Sequence, residues 1–62
     1  DAYYDRARSK CKLNEINESL TDLKTAISLS EEYIDLAAED DNFESIKDNE
    51  QFKLLLSRKA KT

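Results

Sequence analysis

Tyr4, Arg8 and Lys12 stand at intervals of four residues, which makes them one stripe if this stretch is helical. Two cations one turn apart can hold a carboxylate of a partner peptide, and the Tyr4 ring can pack beside it. A charge row has a plainer reading as a solvated helix face. Cys11 lies between Lys10 and Lys12. Neighbouring cations favour a reactive thiolate; otherwise the residue is a small apolar contact. Glu39, Asp40 and Asp41 gather three carboxylates. A calcium loop of the helix–loop–helix type needs spaced oxygen ligands around a glycine and a closing glutamate. This run has neither the spacing nor the glycine, so no metal and no other cofactor is expected.

The remaining composition narrows the chemistry further. There is one cysteine, so no internal disulfide, and no histidine, so no Cys/His metal cage. Cys–His and Ser–His–Asp catalysis are excluded within the chain; composition leaves carboxylate catalysis and carboxylate-only metal sites open, but nothing positive points to an enzyme and no enzymatic activity is expected. Glycine and proline are both absent, which removes phosphate-cradling loops and favours uninterrupted helices. The net charge of −4 is unevenly spread. Residues 1–12 carry net +2, residues 13–46 net −9 and residues 47–62 net +3. A nucleic-acid surface needs a continuous basic face, and the acidic middle argues against one. No apolar run approaches the roughly 20 residues of a membrane span. No signal peptide is visible and the cysteine is single, so a cytoplasmic location is favoured. Methionine is absent, and the chain reads as a piece or processed product of something longer.

These residues need elements to position them. A first helix is expected from about Ala2 to Leu13, with Tyr3, Ala7 and Lys10 or Cys11 at helical spacing. Asn14 offers a left-handed stop. Ile16, Leu20, Leu23 and Ile27 form one face of a second helix, flanked by Ala26. Ser30, followed by Glu31 and Glu32, is an N-cap for a third, with Tyr33, Leu36 and Ala37 as one stripe and Ile34 and Ala38 beside it. Asp40 or Asp41 can cap a short turn carrying Phe43 and Ile46. Asp48 or Asn49 can cap a final helix carrying Phe52, Leu55 and Leu56, apolar almost all round because of Leu54. No strand alternation is sustained.

The segment YYDRARSKCKLNEINESLTDLKTAISLS resembles a tetratricopeptide repeat, a family of helical hairpins stacked into solenoids. Tyr3 stands at its early aromatic position, Ala7 at the small one four residues on, Asn14 at the stop. Ser19 with Leu20, then Leu23 and Ala26, match the second helix. Lys10 replaces a usual aromatic, Arg6 a common leucine and Glu31 the closing proline; these departures predict a weaker seam with one solvated face. The segment EEYIDLAAEDDNFESIKDNEQFKLLL is similar to the tail that follows the last such repeat, with Asp41 and Glu50 in place of two prolines. An acid suits those helix starts as well.

The resemblance implies an all-α chain: a repeat-like helix-turn-helix hairpin over 1–30, a third helix and C-terminal cap over 31–56, and a basic frayed tail over 57–62. Phe43, Ile46 and Phe52 would then cover the hairpin's flank, as the end of a solenoid requires. It implies binding of a protein or peptide through a groove lined by the first helix, here Tyr4, Asp5, Arg8, Cys11 and Lys12. Family members that clamp acidic peptide tails use an asparagine where Asp5 stands, which disfavours that ligand by charge. At least about three repeats are normally needed for stability. A single one implies the C-terminal end of a longer array, or self-association. The alternative is a structural cap of a larger enzyme or transport component with no ligand of its own.

Overall fold

Asp1 caps the first helix: its Oδ1 accepts from the backbone N–H of Tyr3 at 2.7 Å and of Tyr4 at 3.3 Å, satisfying donors that a helix start leaves bare. Helix α1 covers Ala2–Lys12. The computed structural model describes residues 1–57, so the expected basic tail lies, from Arg58 onward, outside the described residues.

The stop of α1 is the one expected. Asn14 has φ 66°, the left-handed region that asparagine tolerates better than most residues. Its N–H reaches Cys11 O at 3.0 Å, and the Glu15 N–H reaches Lys10 O at 2.9 Å. This pair of bonds is a Schellman motif. The apolar contact that often accompanies it is replaced by an ion pair between Lys10 and Glu15 at 3.7 Å.

Helix α2 covers Ile16–Leu29 and buries Leu20, Leu23, Ala26 and Ile27. Its packing against α1 is the most extensive in the molecule. At the seam Ala7 and Ser19 are both fully buried, and the Ser19 hydroxyl donates to Ala7 O at 2.7 Å. Small side chains let the two backbones approach this closely, and the bond satisfies the buried hydroxyl.

Ser30 leaves α2 in an extended conformation, and α3 covers Glu32–Glu39. The helix begins just after the expected cap: Ser30 Oγ accepts from Glu32 N–H only at 3.4 Å. Its buried face is Ile34 and Ala37, with Tyr33 half-buried, whereas Leu36 is 53% exposed. The expected Tyr33–Leu36–Ala37 stripe is therefore rotated. Stacking of Tyr33 on Tyr4, with centroids 4.9 Å apart, fixes the face that α3 turns inward.

Asp40 caps a 3-10 helix over Asp41–Ile46 by accepting from Asn42 N–H at 2.9 Å. Asn49 caps α4, Glu50–Leu56, by accepting from the N–H groups of Gln51 and Phe52. Phe43, Ile46 and Phe52 are buried, as expected. Leu54 is 60% exposed while Leu55 and Leu56 are half-buried, so part of the apolar surface of α4 faces away from the core. The 3-10 segment lies on α1, and α4 packs on α3 and α2. This lid joins the hairpin in one core, with Phe43 5.8 Å from Tyr4 and 5.6 Å from Phe52 between ring centroids.

The same contact corrects the reading of α1. Tyr4, Ala7 and Cys11 are its buried stripe, and Tyr3, expected in the seam, is 42% exposed. The lid arrives over Tyr4, so the second tyrosine, not the first, is enclosed. The chain is all-α: 82% of the described residues are helical, with no strand among them. The radius of gyration of 10.3 Å matches the roughly 10 Å of a globule this size. Among the described residues, no helix is long and apolar enough to cross a membrane.

Candidate functional site

The face of α1 that carries Tyr4 and Arg8 meets the start of the 3-10 segment, and there five polar side chains converge. The Tyr4 hydroxyl donates to Asp40 Oδ2 at 2.8 Å. The Arg8 guanidinium lies 5.5 Å from the centre of the Tyr4 ring, a cation–π distance. It pairs with Asp5 at 3.2 Å and with Asp40 at 3.7 Å. Asp40 also accepts from the Asn42 side-chain amide at 3.0 Å.

The electrostatics follow from these contacts. Burial drives the Tyr4 phenol above its ordinary range, and the hydrogen bond to Asp40 and that residue's charge add to the rise; Arg8 opposes it. Burial alone pushes the Asp40 carboxyl up. The Asn42 backbone N–H, the Tyr4 hydroxyl, the Asn42 amide and the Arg8 charge outweigh it, and the group is held below the usual carboxylate value. A neutral phenol with a raised pKa beside an ionised carboxylate is a poor proton acceptor or donor near neutrality. The arrangement orders a junction of elements.

The sequence-derived candidates are thus split. Tyr4, Asp5 and Arg8 are brought together, with Asp40 as their unforeseen partner. Tyr4 is only 6% exposed, and Arg8 already holds two carboxylates of its own chain. Cys11 is buried under the 3-10 segment, its Sγ 3.6 Å from Ser45 Oγ. Asp5 and Lys12 are exposed. Around these residues lies an open depression bounded by Tyr4, Arg8, Leu36, Glu39, Asp40 and Asp41. The three consecutive carboxylates do not gather into a cation cage, and no group of three or more metal-ligating side chains occurs among the described residues.

A second polar feature was not foreseen. Arg6 binds Asp22 through two bonds, Nε to Oδ2 at 2.9 Å and a terminal nitrogen to Oδ1 at 3.0 Å. Lys10 binds Glu18 next to it. Arg6 was expected to weaken the seam; instead it ties α1 to α2. Its hydrogen bond and charge hold the Asp22 carboxyl below its ordinary value against the effect of burial, and Asp22 in turn raises Arg6. The available signal was opposite charge at positions 6 and 22, which a close hairpin brings face to face.

No protein-family model, no curated protein and no solved structure matches this chain.

Proposed function

We propose that the chain is a protein–protein interaction or assembly module of the tetratricopeptide-repeat type and forms the C-terminal end of a longer helical array. The observation that carries this reading is the asymmetry of α1. One side is sealed by the chain's own lid, while the Tyr3 ring, 42% exposed, is faced by the Arg6 guanidinium, and Leu13, at the end of the helix, is 68% exposed. A preceding helix pair would bury such an edge, as stacked repeats bury one another's faces. The residues of the resemblance support it as well: the Ala7–Ser19 contact and the Asn14 stop sit where the repeat pattern needs a close approach and a turn.

In this reading Asp5, Arg8 and Lys12 are the part of the first-helix groove open to a partner, and Tyr4 and Cys11 support them from beneath. The reaction of the isolated chain to concentration and heat tests it. Sedimentation should find self-association, or a thermal circular-dichroism scan should find a modest melting point. A strictly monomeric chain with a high melting point would remove the reason for an array.

A second reading, a structural cap of a larger enzyme or transport component, is favoured by one observation: Arg8 is already committed to Asp5 and Asp40. Substituting Arg8 and Lys12 separates the two. Loss of partner binding with an intact fold supports the interaction module; destabilisation of the parent protein supports the cap.

A further inference from the structure

A different surface joins α2 to α4. Asn17, Leu20, Thr21 and Lys24 project from one stripe of α2, and Gln51 and Leu55 from one stripe of α4; together they line an open depression of about 450 Å³. Its volume falls within the range of roughly 300–1,000 Å³ seen for ligand clefts. The floor is apolar, formed by Leu20 and the half-buried Leu55. The walls are polar, and their hydrogen-bonding capacity is largely unspent. The carboxamides of Asn17 and Gln51 and the ammonium of Lys24 bond to no other side chain or backbone group among the described residues; Arg6, Arg8, Lys10 and Lys47 are paired with carboxylates, while Lys12 and Lys53, like Lys24, are not. No carboxylate lines the depression, although the chain has 14 of them.

We infer that this α2–α4 cleft binds an extended peptide segment that carries an acidic side chain, the acid on Lys24. The inference deepens the interaction-module reading and rests on it, but it places the peptide away from α1. Three features select the occupant. A carboxamide offers both donor and acceptor groups, which match the alternating N–H and C=O of an extended backbone. From Asn17 to Lys24 the helix rises about 10 Å, the span of roughly three residues of extended chain. Lys24 is the one charged side chain that lines the depression, so a carboxylate entering it meets a cation and no like charge on the walls. An apolar side chain next to the acid would lie on Leu20 and Leu55.

The test is an amide-resolved NMR titration of the 62-residue chain with N-acetyl-Ala-Leu-Ala-Glu-amide, and with the same peptide ending in Gln. The expected result is a set of shifts confined to the amides of Asn17, Leu20, Thr21, Lys24, Gln51 and Leu55, with the Glu peptide binding about fivefold more tightly, the upper end for an exposed ion pair. Lys24→Glu should abolish the preference for Glu, and Gln51→Ala should weaken both peptides alike. Both residues are exposed, and unchanged helical dichroism checks that the fold survives. No shifts at millimolar peptide, equal affinity for the two peptides, or shifts centred on Asp5, Arg8 and Lys12 would each overturn the proposal. Those outcomes leave self-association and melting untouched, so the array reading stands or falls separately.

Discussion

The Tyr4 hydroxyl and the Asp40 carboxylate meet at 2.8 Å although 36 positions separate them in the chain. One carboxylate thereby holds the first helix and caps the 3-10 segment through Asn42. Tyr4→Phe keeps the ring in the core and removes only the hydroxyl. A loss of about 1.5–3 kcal/mol is expected, the usual value of a hydrogen bond to a charged group, read by denaturant unfolding. Unchanged stability would mean that the contact contributes nothing.

The titrating groups set a pH window. Asp40 and Asp22 have folded values below their unfolded ones, so the stability they give is present above about pH 4 and lost as pH falls through the folded values. Tyr4 is raised, so its contribution is complete below about pH 10 and lost as pH rises beyond it. Melting temperatures between these limits should vary least. Asp40→Asn and Asp22→Asn should flatten the acid limb, and Tyr4→Phe the alkaline limb. An alkaline limb identical in Tyr4→Phe would contradict the assignment.

Phe52 is 1% exposed and rests against Phe43. Phe52→Ala should cost about 3–5 kcal/mol, the range for deleting a buried aromatic ring. For so small a domain that approaches the whole of its stability, so the variant should be largely unfolded at 25 °C. A folded variant with a near-normal urea midpoint would show that the lid is not part of the core.

Asn14 can be tested through its backbone alone. Asn14→Gly should match or exceed the parent in stability, since glycine enters the left-handed region freely. Asn14→Val should lose about 1–2 kcal/mol. Equal stability of the two variants would show that the hairpin has another way to turn.

Cys11 is 4% exposed. Labelling with a thiol reagent at neutral pH should be slow in the native chain and fast in urea. Fast native labelling would revive the reactive-thiol reading set aside by its burial.

The helices were legible where each was specified by its own neighbours. Asn14 as a stop, caps narrowed to Asp40 or Asp41 and to Asp48 or Asn49, and the Leu20–Leu23–Ile27 stripe depend on residues within one or two turns. What was not legible depends on rotation about a helix axis. Tyr3 and Tyr4 are adjacent, and local spacing allows either to face inward; the choice is made by Phe43 and Tyr33, some 30 to 40 positions away. Leu36 was misplaced for the same reason. The Arg8 site was half legible, since its cation was plain but the carboxylates that occupy it lie partly on a distant segment. The Arg6–Asp22 pair escaped because a charged residue at a seam position reads as a defect until its partner is placed.

The lid also fixes an order in time. Helix α1 is the first element of this chain to be synthesised, yet Tyr4 and Cys11 are covered by residues 33–46, and that cover rests in turn on Phe52. A growing chain that has delivered both hairpin helices still carries one bare apolar flank. Until residues 33–52 have emerged as well, that flank is open to chaperones or to a neighbouring nascent chain, so the hairpin cannot close its core ahead of its lid.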